Sequence, residues 1–304
     1  MTSAQRVLDQ FVRNVDAEGL GAYGVHVLIG DDVAEHRWRS DDRENVYSVS
    51  KGVCALAAGI AVGDGLIGLD STVGEFFPSM QLGAGVDGIT LRHLLTMTSG
   101  IKFQWFGDQP VPGAATAERP ASTPDLAQVM LGLPSNGAGT AFLYTDSSPY
   151  VAMRMLETVV GDVRDWLIPR LFEPLGIDNP QWHRCPLGSI MGGTGLELRT
   201  EELARIGRLL RDRGQWNGQA LVDGAWIDQM HEATVATRGT GDSARYGLAV
   251  WGGPGDAWRL DGRYGQYVVV DQGRDAVITV TAHEESGEHR LAELAQAAVA
   301  EHVG

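Results

Sequence analysis

Residues 48–51 read Ser-Val-Ser-Lys and lead straight into an apolar, helix-like run. Positions i and i+3 of a helix share a face, so Ser48 and Lys51 are expected as neighbours at the start of that helix. A serine hydroxyl is a weak nucleophile until a nearby base takes its proton. A lysine half buried among apolar neighbours has a depressed pKa and can be that base. The helix N-terminus adds backbone N–H groups and positive potential where an oxyanion would develop. Ser50 is the rival nucleophile, but it points off the shared face, which favours Ser48. Of the 24 basic residues only Lys51 and Lys102 are lysines. Arginine keeps its proton in a protein whereas lysine can lose it, so a lysine inside this motif points to a site that needs an ionisable amine.

The elements that must position this pair can be read from periodicity and turn residues. A helix is expected over about 4–17, then strands over 23–29 and 33–39 across the turn Gly30-Asp31-Asp32. A helix over 50–63 follows, stopped by Gly63-Asp64-Gly65. From residue 70 to about 201 helical patterns dominate: 91–97, 124–131, 148–160 and 162–172. Residues 102–122 hold several prolines and glycines and read as an irregular surface loop of the kind that binds or covers ligands. Helices over 200–213, 224–232 and 288–302 alternate with strands over 246–251, 258–260, 267–271 and 276–282. Strands thus lie at both ends of the chain and helices in the middle. The expected fold class is α/β (α+β): an antiparallel sheet with the terminal helices over one face and an all-helical insertion. The corresponding division is 1–69 with 201–304 as one domain and 70–200 as the inserted one.

Composition narrows the function classes. The chain has 304 residues, 43% hydrophobic and 21% charged, with a net charge of −15. That length supports a large core, and that charge argues against a nucleic-acid backbone or an anionic membrane as partner. Cys54 and Cys185 are too few for a disulfide framework, and the eight histidines show no zinc-ligand spacing. No metal or organic cofactor is expected. The N-terminus reads as an amphipathic helix without the basic start and apolar stretch of an export signal, and the longest apolar run is too short for a membrane span. A cytoplasmic location is the expectation.

Several further stretches, in order along the chain, resemble the serine β-lactamase and penicillin-binding-protein superfamily. The likeness is to its class C β-lactamase-like branch of esterases, D-aminopeptidases and 6-aminohexanoate-dimer hydrolases. Besides Ser48–Lys51 they are Leu91-Arg92-His93-Leu94-Leu95-Thr96-Met97-Thr98-Ser99-Gly100, Leu171-Phe172-Glu173-Pro174-Leu175-Gly176-Ile177 and Gly192-Gly193-Thr194-Gly195-Leu196. The similarity runs from about residue 20 to 285 and implies a β-lactamase/transpeptidase-like fold. Tyr144-Thr145-Asp146 falls where that family carries Tyr-x-Asn, which implies a proton-shuttling role for Tyr144. Asp146 departs from the asparagine: a carboxylate there would hold Lys51 protonated and leave a tyrosinate at Tyr144 as the base. It would also disfavour anionic groups on the substrate. Read without the resemblance, Asp146 and Ser147 are good N-caps for the next helix. Asp261-Gly262-Arg263-Tyr264-Gly265-Gln266-Tyr267 falls where the family has Lys/His-x-Gly. The resemblance implies an oxyanion hole from the backbone N–H groups of Ser48 and Gln266, with Gly265 allowing close backbone approach to substrate. Arg263 stands at the Lys/His position. It cannot titrate, and is expected to bind a carboxylate or pair with Asp146. Tyr264 beside it is a candidate substrate contact.

Phe103, Trp105 and Phe106 are candidates for an acyl pocket, Cys54 for core packing and His93 for a structural role. The resulting expectation is a serine hydrolase that cleaves a small ester, amide or peptide-like molecule through an acyl-enzyme on Ser48. Two alternatives stand beside it. One is an enzyme acylated by β-lactams or acting like a D,D-peptidase. The other is a binding protein that keeps the fold without turnover.

Overall fold

The computed structural model describes residues 1–107, 109, 125–253 and 255–303. Of the loop expected over 102–122, residues 108 and 110–122 lie outside the described residues, as does Pro124 of the expected helix 124–131. In chain order the elements are α1 (Ser3–Glu18), β1 (Ala22–Ile29), β2 (Asp32–Arg37), β3 (Glu44–Asn45), α2 (Ser50–Gly63), α3 (Val73–Phe76), α4 (Leu91–Leu95), α5 (Leu126–Leu131), α6 (Ser147–Val160) and α7 (Val163–Leu167). They continue with β4 (Glu197–Leu198), α8 (Thr200–Arg211), β5 (Gln215–Trp216), β6 (Gln219–Ala220), α9 (Gly224–Glu232), β7 (Val235–Ala236), β8 (Arg245–Tyr246), β9 (Trp251–Gly252), β10 (Ala257–Gly262), β11 (Gln266–Asp271), β12 (Ala276–Ala282) and α10 (Glu288–His302).

Eight strands form one antiparallel sheet in the order β2-β1-β12-β11-β10-β9-β8-β7. Successive strand residues point to opposite faces, and β11 shows how both faces are filled. Tyr267 and Val269 enter the apolar layer shared with α1 and α10. Val268 and Val270 enter the larger core on the other face. Antiparallel β-strands at the two ends of the chain, capped by the two terminal helices, are therefore what closes the sheet.

The second core holds α2. Its residues Ser50 to Ala61 are all buried, which fits a helix that is apolar on every side rather than on one stripe. Small residues let its neighbours approach. Trp226 of α9, for instance, donates its indole N–H to the Ala55 carbonyl at 2.9 Å. Helix α6 packs beside α2 and brings the segment before it, residues 144–146, to the start of α2.

Local chemistry also explains where the elements depart from the expected ones. The strand expected over 246–251 is a tight hairpin, because Ala249 is left-handed (φ 61°) and Gly247 N–H bonds the Val250 carbonyl at 2.8 Å. The helix expected over 162–172 widens into a π-turn at Ile168–Phe172, where Pro169 lacks the N–H an α-helix needs. Left-handed Met97 and Arg213 keep the helices expected over 91–97 and 200–213 from running their full length. The short pairs β3–β4 and β5–β6 escape a periodicity reading because two residues carry no period.

The two cores predict a separation of stability from site geometry. Phe11 is fully buried in the α1–α10 layer, away from α2. Phe11→Ala is expected to cost about 3–5 kcal/mol in urea unfolding while the remaining folded protein keeps the wild-type reactivity of Ser48. Loss of Ser48 reactivity ahead of unfolding would show instead that the layers are coupled.

Candidate functional site

Ser48 sits in a single 3₁₀ turn, Tyr47–Val49, between β3 and α2. The turn is held at both ends. Asn45 Oδ1 accepts the N–H of Tyr47 at 2.8 Å and of Gly195 at 3.1 Å, and Val46 N–H donates to the Leu196 carbonyl at 2.9 Å. Tyr47 lies in the left-handed region at φ 46°, a conformation that costs an L-residue about 1–2 kcal/mol. The rival Ser50 is fully buried and its Oγ accepts the Leu196 N–H at 3.2 Å, so it serves the fold. Ser48 is half-buried and opens onto a cavity.

Lys51 is 1% exposed. Its Nζ lies 2.6 Å from Ser48 Oγ, 2.5 Å from Asp146 Oδ1 and 2.8 Å from the Gly193 carbonyl oxygen. Three acceptors match the three donors of an ammonium. Removing the proton that faces Ser48 would leave a lone pair aimed at the hydroxyl, with the other two donors still satisfied. The Tyr144 ring completes the group, with Lys51 Nζ 4.8 Å from its centroid.

Burial pulls the Lys51 pKa down, but the charge a Tyr144 phenolate would carry and the carboxylate of Asp146 pull it up further, and the balance lies above the ordinary value. The Tyr144 phenol is also raised, first by desolvation and further by Asp146, against the pull of the Lys51 cation and the Ser48 hydrogen bond. At neutral pH the resting site therefore holds an ammonium and a neutral phenol. This leaves tyrosinate, the expected base, a minor form.

Asp146 occupies the N-cap position of α6 but makes no side-chain cap there. Its second oxygen accepts the Gly107 N–H at 2.8 Å. The carboxylate thus joins Lys51 to the segment carrying Phe106 and does not pair with Arg263 as one expectation had it. Gly193 is required at this point: a Cβ there would sit 2.7 Å from Asp146 Cβ.

The cavity has a volume of about 910 Å³ and is lined by Ser48, Tyr144 and Asp146 together with Phe106, Trp251 and Arg263. Its polar rim includes Asn45, His183 and Asp261. Three expectations need correction. Trp105 is buried in the core and Phe103 packs against it, so the aromatic wall is Phe106 and Trp251, not Phe103 and Trp105. The reason is that Trp105 N–H and C=O both bond the Thr145 hydroxyl, which turns this stretch inward. Gly265 (φ 91°) is also required by packing, since a Cβ there would strike Leu291 Cδ1 at 2.6 Å. Tyr264 is not among the described lining residues. Its ring stacks on His283 at 4.4 Å, with the Arg263 guanidinium 4.7 Å from its centroid. The Gln266 side chain is turned away, donating its amide to the Ala282 carbonyl on β12.

Cys54 packs one turn after Lys51 with Sγ 3.1 Å from the Gly192 carbonyl oxygen, and both cysteines are free. His93 closes a capping box with Thr90. Among the described residues no group of side chains is arranged to hold a metal ion, and no helix is long and apolar enough to cross a membrane. Sequence reasoning missed Asn45, Trp251 and the Gly193 carbonyl. The last had a signal, lying inside the Gly192-Gly193-Thr194-Gly195-Leu196 stretch; the other two stand outside any motif.

The family model described as Beta-lactamase matches residues 8–301. The 6-aminohexanoate-dimer hydrolase of Paenarthrobacter ureafaciens is 26% identical over 220 residues, covering 67% of this chain and 55% of that protein. A lovastatin esterase of Penicillium rubens is 27% identical over 217 residues, covering 60% of this chain and 52% of that protein. The chain thus spans about half the length of these curated relatives. A solved class C beta-lactamase shares the fold with a TM-score of 0.76 at 15% identity, over 99% of this chain and 97% of that one.

Asp146 raises the pKa of both Lys51 and Tyr144, so the pH dependence has a sign that does not depend on which is the base. A raised folded-state pKa means that the basic form appears only as pH climbs past the ordinary range of these groups. The rate of Ser48 modification by a fluorophosphonate should rise steadily from neutral to alkaline pH. Asp146→Asn should move that rise to lower pH, with the melting temperature recorded to confirm folding. An unchanged profile in a folded variant would remove Asp146 from control of the proton.

Proposed function

The chain belongs to the Beta-lactamase family, and on that footing we propose that it is a serine hydrolase cleaving a small ester or amide through an acyl-enzyme on Ser48. The observation that carries this reading is the 2.6 Å contact between Lys51 Nζ and Ser48 Oγ, made by a buried cation at the edge of a ligand-sized cavity. In the form of the enzyme whose Lys51–Tyr144 pair has first released one proton to solvent, the attacking Ser48 oxygen forms a bond to the substrate carbonyl carbon while its own proton passes into that pair. The carbonyl oxygen becomes an oxyanion facing the backbone N–H groups of Ser48 and Gln266. The C–O or C–N bond then breaks and the same pair returns the proton to the leaving group. Water attacks the ester of Ser48 by the reverse proton path and releases the acid.

The substrate class follows from the cavity. Tyr144 lines the cavity with Ser48, and its ring lies 5.3 Å from Trp251 and 6.5 Å from Phe106, with Phe142 and buried Tyr246 beside Trp251 at 5.8 and 4.8 Å. An acyl group leaving Ser48 along Tyr144 meets an aromatic wall whose rings are tilted against one another. The buried Asp146 carboxylate next to the nucleophile disfavours an anionic group close to the scissile bond. Both features favour a neutral ester or amide with an apolar or aromatic acyl part. The names of the two relatives, an amide hydrolase and an esterase, support the same class.

Intact-protein mass spectrometry after exposure to a fluorophosphonate, a short p-nitrophenyl ester and a β-lactam tests the reaction. A covalent adduct on wild type and none on Ser48→Ala, with ester turnover, is the expected outcome. A stable β-lactam adduct without ester turnover would favour the β-lactam-directed reading. No adduct with any reagent in folded protein would leave a binding protein.

The acyl wall is tested separately. Trp251→Ala should lower kcat/KM for an aromatic acyl ester about 10-fold and leave the acetyl ester nearly unchanged. Equal losses on both esters would place the acyl group elsewhere.

A further inference from the structure

Two tyrosines to which the reaction above gives no role stand beside its oxyanion donors, and one of them, Tyr47, also lines the cavity. Tyr47 immediately precedes Ser48, and Tyr264 is separated from Gln266 only by Gly265. Both are left-handed, at φ 46° and φ 64°. A bulky L-residue holds that conformation only where its surroundings over-determine it. Glycine would be at ease in either position, so the presence of a ring at both calls for a use of the ring.

The rings meet edge to face, with centroids 5.2 Å apart and planes at 73°. Behind them Tyr264 stacks on His283 at 4.4 Å and 17°, and its carbonyl accepts the Glu284 N–H at 3.0 Å. The Glu284 carboxylate in turn accepts the N–H groups of Gly21 at 2.9 Å, Ser286 at 3.0 Å and Gly287 at 3.1 Å. A continuous set of contacts thus runs from the β12–α10 connection, through the turn after β10, to the 3₁₀ turn of the nucleophile.

We infer that the Tyr47–Tyr264 ring contact is a positioning device that sets the separation of the backbone donors at Ser48 and Gln266; this rests on the serine-hydrolase reading of the same site. An edge-to-face aromatic pair fixes tilt as well as distance, because its attraction depends on the orientation of the ring quadrupoles. The donors it spaces act on charge that exists only in the transition state. A shift of one donor therefore reduces the chemical step more than ground-state binding.

The test compares Tyr264→Gly, Tyr264→Phe, Tyr47→Gly and the double glycine variant. Each is followed by the acylation rate with a short p-nitrophenyl ester, by KM and by melting temperature. Glycine satisfies the backbone at both positions and removes only the ring. Each single glycine variant should acylate about 10- to 100-fold more slowly at nearly unchanged KM. The phenylalanine variant should restore the rate, and the double variant should lose little more than either single one, since the contact can be lost only once. Wild-type acylation by Tyr264→Gly, or single losses that multiply in the double variant, would overturn the inference. An inert wild type would instead overturn the serine-hydrolase reading.

Discussion

One buried cation organises this molecule. Lys51 lies on a helix whose neighbouring positions are apolar and buried, so its ammonium has no water to fall back on. Desolvating such a charge costs several kcal/mol, and only close partners of the right polarity offset it. Those partners come from the adjoining Ser48 turn and from two distant segments, Asp146 before α6 and the Gly193 carbonyl before β4. The fold can be read as the means of bringing those segments together. The sheet presents the 3₁₀ turn, α6 packs along α2 to deliver Asp146, and the absent side chain of Gly193 lets a carbonyl come close.

The same balance sets the reactivity. An ammonium with three acceptors is a stable resting state, and a poor base. The geometry reconciles the two, because the one proton that must leave points at the hydroxyl that must be activated. Asp146 weighs the balance toward rest by raising the pKa of both Lys51 and Tyr144. It also fastens the Gly107 backbone, so the charge state of the site and the position of the Phe106 wall share one side chain.

How much of this was legible in the sequence divides by range. The α2 helix and its Ser48–Lys51 pair were fully legible, because i to i+3 spacing is a local rule and the apolar run is continuous. The long strands and terminal helices were legible for the same reason. Tyr144 and Asp146 were found through their resemblance to a known motif, since nothing local reveals that residues 95 positions apart share a proton. Trp251 was not legible at all. It sits at the end of a two-residue hairpin fixed by a left-handed alanine, and no periodicity marks a turn of that kind. Trp105 misled for the opposite reason. A tryptophan in a Gly/Pro-rich stretch reads as exposed, yet hydrogen bonds to Thr145 roll it into the core.

The distribution of strain completes the argument. Tyr47 and Tyr264 are left-handed non-glycine residues on the turns beside Ser48 and Gln266, and each is held by its own contacts: Asn45, on the cavity rim, for one, His283 and Glu284 for the other. Strain held by such contacts stiffens both turns, because relaxing either residue would require breaking them. The charged network and the strained turns are therefore complementary. The first holds the Lys51 ammonium among its acceptors, and the second holds the backbone of the turns on either side of the cavity mouth. A site built from a flexible lysine on an exposed loop would have neither property, which is why the cation had to be buried before it could be useful.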